Sequence, residues 1–97
     1  MQGAGAHTAT LPSGWRGRLV SVQNEATRGR TGLCLELHDL CISKLVANRE
    51  KDREFCSTLV RHRLVSAATL RERLAATEVI DQVRTRVAHW LDVVEPV

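Results

Sequence analysis

The chain has 97 residues, 43% of them hydrophobic and 26% charged, with 14 Lys and Arg against 11 Asp and Glu and a formal net charge of +3. That length suits one small domain rather than two, and the composition belongs to a folded chain rather than a disordered one. A surplus of three charges is far from a polybasic tail, and no apolar run approaches the roughly 20 residues that span a bilayer. The expectation is a cytoplasmic protein with no membrane attachment.

Aromatic residues are scarce, only Trp15, Trp90 and Phe55. The core must therefore be built from Leu, Val, Ile and Ala. Residues 1–9 are small and polar with no apolar stretch of the secretory kind, and residues 1–13 read as a loose lead-in ending in the turn signal Pro12-Ser13-Gly14. Residues 18–22 are short and β-branched and read as a strand. Residues 23–32 form a polar loop in which Arg28 and Arg30 either face water or meet a phosphate, the first reading being favoured because exposed arginines are common. Residues 33–37 alternate and read as a second strand. Two short strands make a poor sheet, so either residues 1–10 add a third or the sheet belongs to something larger.

The remainder is helical. A first helix is expected over residues 38–47, with Asp39 in its first turn at the positive end of the dipole and Asn48 as its stop. A second is expected over 49–63, with an inward stripe of Phe55, Cys56, Leu59 and Val60. Ser66 caps a third, ending near Ala76, with Leu70 and Leu74 inward. Thr77 caps a fourth, with the stripe Ile80, Val83, Val87, Trp90 or Leu91, and Val94. The fold class is α+β: a two- or three-strand sheet remnant followed by about four helices, read as a single domain over 1–97.

Two ionisable side chains stand out against this pattern. After Asp39 the first helix is apolar all round except for Ser43 and Lys44, and such helices are buried. Lys44 shares a face with Leu37 and Leu40, so its ammonium needs an anion, either a carboxylate or a bound phosphate. Asp52 stands three and four residues before Phe55 and Cys56 and so lies on the inward stripe of the second helix. Arg49 and Lys51 sit at that helix's start, where positive charge opposes the dipole and backbone N–H groups favour an anion. Lys44, Arg49, Lys51 and Asp52 thus converge on one interhelical corner, which is either an internal Lys44–Asp52 ion pair or a phosphate site. Cys34, Cys41 and Cys56 contain no C-x-x-C pair. With His38 they offer four metal ligands, but the spacings match no zinc motif and Cys41 and Cys56 fall at core positions, so reduced thiols and no metal are expected. No nucleophile elbow, H-E-x-x-H or P-loop is present.

The segment Leu35-Glu36-Leu37-His38-Asp39-Leu40, followed by Ser43-Lys44-Leu45-Val46-Ala47-Asn48-Arg49-Glu50-Lys51-Asp52-Arg53-Glu54-Phe55, resembles the "HDL…SKL.A.REKD.EF" stretch of a family of uncharacterised bacterial nucleotidyltransferase-like proteins distantly related to the AbiEii type of toxin. The upstream residues Leu11-Pro12-Ser13-Gly14-Trp15, Arg18-Leu19, Asn24-Glu25 and Thr27-Arg28-Gly29 are similar too, as are Leu64-Val65 and Leu70-Arg71-Glu72-Arg73-Leu74. The resemblance spans nearly the whole chain but maps onto the C-terminal part of such proteins. Full-length members carry an earlier Gly-Ser turn for a nucleoside triphosphate and paired acids for a divalent metal such as Mg. Here Ser13-Gly14 is in reverse order, no Asp-x-Asp precedes Leu33, and Glu25 is the one acid before that point.

The resemblance implies that Lys44 contacts nucleotide phosphates, that Arg49 and Lys51 shape the same pocket, and that Asp52 orients the lysine or a substrate group. It implies no catalytic residue and no resident cofactor in this chain, because nucleotidyl transfer needs metals held by acids. The reading is a truncated or remnant nucleotidyltransferase-like protein, inactive alone, completed by a different start site or by a partner chain. A homodimer or partner contact through the exposed sheet edge is expected. The alternative is a small non-enzymatic module that binds protein or nucleic acid, although charges of both signs over residues 66–92 give little sign of a recognition helix.

Overall fold

The computed structural model describes residues 10–22 and 32–94. The expected third strand over 1–10 and the loop arginines Arg28 and Arg30 lie outside those residues, apart from Thr10. Two antiparallel strands, β1 (Val20–Val22) and β2 (Gly32–Cys34), precede four helices: α1 (Leu37–Ala47), α2 (Glu50–Arg61), α3 (Ala67–Ala75) and α4 (Asp81–Val94). The class is α+β, as the sequence pattern implies. Val20 faces Cys34, Ser21 faces Leu33 and Val22 faces Gly32. Val20, Leu33 and Cys34 are exposed, and none of these strand residues joins the buried core.

The lead-in is docked where it is described. Pro12 is buried, and the Ser13 N–H donates to the Ala76 carbonyl at 2.9 Å. A single 3-10 turn, Trp15–Arg18, occupies residues that the strand reading reached into at Arg18. Gly14 opens that turn at φ 85, a left-handed conformation, and a Cβ there would stand 3.0 Å from the Arg18 guanidinium. Glycine at this position avoids the steric penalty that a side chain would bring.

Helix α1 is the centre of the body and packs against α2, α3 and α4. Its Cys41, Ile42 and Leu45 meet Cys56, Leu59 and Val60 of α2, Leu70 and Leu74 of α3, and Val87 and Leu91 of α4. Each fully buried aliphatic side chain of this kind stabilises the fold by about 1.5–3 kcal/mol relative to exposure. The helix starts one residue earlier than its spacing suggests, because Glu36 takes the cap and accepts from the His38 N–H at 3.1 Å. Asn48 ends it at φ 60, where asparagine tolerates the left-handed turn. Ser66 caps α3 by accepting from the Thr69 N–H.

Two expectations need correction. Thr77 does not cap α4: its hydroxyl donates to the Arg73 carbonyl at 2.6 Å and closes α3, and α4 begins only at Asp81, leaving Ile80 exposed. Phe55 is not part of the inward stripe of α2, which runs Asp52, Cys56, Leu59 and Val60.

Candidate functional site

The α1–α2 joint places three of the four expected residues together. Lys44 lies in the last turn of α1 and Arg49 is the first residue outside α2. Asp52 follows in the first turn of α2, with 1% of its surface exposed. Arg49 Nε donates to Asp52 Oδ2 at 2.7 Å, and Lys44 Nζ stands 3.5 Å from Oδ1. The Arg49 hydrogen bond holds the Asp52 carboxyl below the usual carboxylate range, against burial, which acts the other way; the charges of Arg49 and Lys44 add to the lowering. Phe55 covers the lysine, whose Nζ lies 5.1 Å from the ring centroid. This explains why an aromatic residue remains at the surface. Lys51 is exposed and makes no contact with this group among the described residues.

Both cations reach solvent. The Lys44 side chain is 30% exposed and that of Arg49 62%. One carboxylate therefore faces two cations, and the surplus positive charge lies on an accessible surface at the start of a helix. Arg53 secures the joint from the other side, with Nη1 donating to the Asn48 carbonyl at 2.7 Å and to its side-chain oxygen at 2.9 Å.

A second ionic cluster forms where α1 begins, and sequence reasoning missed it. Asp39 is buried and accepts from Arg18 Nε at 2.8 Å, Arg18 Nη2 at 2.9 Å and Arg73 Nη1 at 2.8 Å. Arg73 also donates to Glu36 Oε1 at 2.5 Å, and Arg18 donates to the Ser13 carbonyl at 3.0 Å. The Ser66 N–H donates to His38 Nε2 at 2.9 Å. A backbone N–H can only donate, so that nitrogen is unprotonated and the ring hydrogen sits on Nδ1, 2.5 Å from Glu36 Oε2. Burial pushes the Glu36 carboxyl up, but the bonds from His38 and Arg73 outweigh it and hold it at about 2. The signal was present in the sequence. Asp39, like Lys44, is a charge on a helix that is otherwise apolar all round.

Among the described residues no group of three or more His, Cys, Asp or Glu side chains is arranged to hold a metal ion. Cys56 donates its thiol to the Cys41 carbonyl inside the core, Cys34 is exposed, and the oxygens of Asp39 and Asp52 are taken up by cations. These residues do not fit a divalent metal. Among the described residues no helix is long and apolar enough to cross a membrane.

Residues 1–95 match the model of a family described as "Nucleotidyltransferase of unknown function (DUF6036)". The chain belongs to this family. No curated protein and no solved structure matches it. The match to DUF6036 takes in both ionic clusters, the one at Asp39 and the one at Asp52.

Proposed function

We propose that the α1–α2 joint of this DUF6036 chain is a nucleotide phosphate site, with Lys44 and Arg49 as the contacting cations. The observation that carries the reading is the unequal charge at Asp52: one buried carboxylate, two partly exposed cations, and surplus positive charge facing solvent. Asp52 fixes the two side chains before a ligand arrives, which lowers the ordering cost of binding. Lysine supplies a compact point charge to phosphate and arginine a planar fork. Lys51, one residue before Asp52, adds long-range positive potential rather than a contact.

The chain by itself carries no nucleotidyl transfer in this reading. The described residues do not fit a divalent metal, and no paired acids precede β2 in the sequence. In this reading a partner chain supplies the acids, and this chain contributes the phosphate side of the joint site. Calorimetric titration with ATP and CTP at low salt tests this. Wild type is expected to bind, and Lys44→Ala to weaken binding about tenfold, equivalent to about 1.4 kcal/mol. If wild type binds neither nucleotide better than Lys44→Ala does, the joint is only an internal ion pair and the reading fails.

A further inference from the structure

Helices α2 and α4 both pack on α1 and leave a cleft between them. Three adjoining hollows in that cleft share Trp90. The first, of about 310 Å³, is lined by Leu45, Val87, Trp90 and Val93. The others bring in Glu54, Ser57, Thr58 and Arg61 of α2 and Val94 of α4. Beside these hollows stands Val93, 72% exposed. The surface is therefore both a hole and an apolar knob.

The charges on the rim decide what fits it. The α2 side carries Glu50 and Glu54 together with Arg53 and Arg61. A polyanion such as single-stranded nucleic acid meets the two glutamates, and a strongly acidic or basic peptide meets like charges as well. Arg53 and Arg86 on the same rim already bond the Asn48, Leu45 and Val46 carbonyls. That leaves Glu54 and Arg61, seven residues apart on one stripe of α2, as a pair of opposite charges that a copy of the same face complements. Ser57 and Thr58 are small and lie midway between Glu54 and Arg61 along α2. A two-fold axis through them sets α2 against its copy in the antiparallel sense, so that Glu54 faces Arg61 of the second copy and Arg61 faces its Glu54. The apolar side chains of Trp90, Val93 and Val94 flank that contact.

We propose that the α2–α4 cleft is an isologous dimer interface, occupied by a second copy of this chain. It is distinct from the strand edge of β1 and β2 and from the Lys44 joint. Two helices of this length offer a modest face, so affinity on the order of micromolar is expected. Analytical ultracentrifugation of the full chain over a concentration series tests the proposal. The weight-average mass is expected to rise toward twice that of the chain. Val93→Glu and Arg61→Glu each weaken association about tenfold or more, with unchanged circular dichroism because both positions are exposed. Mixing Arg61→Glu with Glu54→Arg restores a mixed dimer. A chain that stays monomeric up to millimolar concentration overturns the proposal and leaves the cleft to another protein. A dimer that neither variant weakens overturns it too, and places association on the strand edge or another face. If the mixture fails to recover, Glu54 and Arg61 do not meet across a two-fold axis and the proposal is overturned.

Discussion

Asp39 and Asp52 are both buried, and each is held by two cations, yet the two clusters differ in how their charge is balanced. At Asp39, two carboxylates face two guanidinium groups, and the arginines have further acceptors in Glu36 and the Ser13 carbonyl. The side chains of Arg18 and Arg73 are 29% and 19% exposed, so their charge is largely used up inside. At Asp52, one carboxylate faces two cations, Lys44, which is as open as Arg18, and Arg49, which is considerably more open to water. The first cluster ties the 3-10 turn, α1 and α3 together across 21 and 34 residues of chain. The second spans only a helix joint and has charge left over. A balanced cluster works as a staple, whereas an unbalanced one can take a ligand.

The comparison breaks most readily at Asp39. Asp39→Asn leaves two partly buried guanidinium groups short of a counter-charge and is expected to lower unfolding stability by about 3 kcal/mol in urea titrations at neutral pH. The corresponding change at Asp52 should cost less, since Lys44 and Arg49 can turn to water. Equal losses at the two positions would erase the distinction.

Acid should act on the staple next. The Glu36 carboxyl is held at about 2 in the folded chain against an ordinary 4.5. A depressed carboxylate contributes stability that is fully present above its unfolded value and lost as pH falls from about 4.5 toward 2. Stability measured across that window should therefore drop, and Glu36→Gln should flatten the drop. The smallest effect belongs to the cap of α3: Ser66→Ala should cost about 1 kcal/mol, read as a small shift of the thermal midpoint.

Local periodicity made the open cluster legible and hid the closed one. Asp52 was visible because Cys56, Leu59 and Val60 repeat on its face of α2, and Lys44 because its helix has few other polar positions. Asp39 stands on the same apolar helix, but a carboxylate in a first helical turn has a ready explanation in the dipole, and its partners lie far along the chain. Phe55 misled because it borders the inward stripe; its ring covers the lysine instead. Thr77 looked like a cap for α4, but a threonine can equally bond back to the preceding turn, which here closes α3. The first strand lies within its expected span, whereas the second ends at Cys34 because Glu36 caps α1 and Leu37 enters that helix. The 3-10 turn before the strands depends on Gly14 and on Arg18 folding back to Asp39, a tertiary contact that no local pattern carries.

The distinction between staple and site is tested most directly by titrating ATP into three proteins at low salt: wild type, Lys44→Ala and Asp39→Asn. The account predicts measurable binding by wild type, about tenfold weaker binding by Lys44→Ala, and binding by the folded fraction of Asp39→Asn equal to wild type. Wild-type binding no stronger than that of Lys44→Ala, or equal losses in both variants, would contradict it.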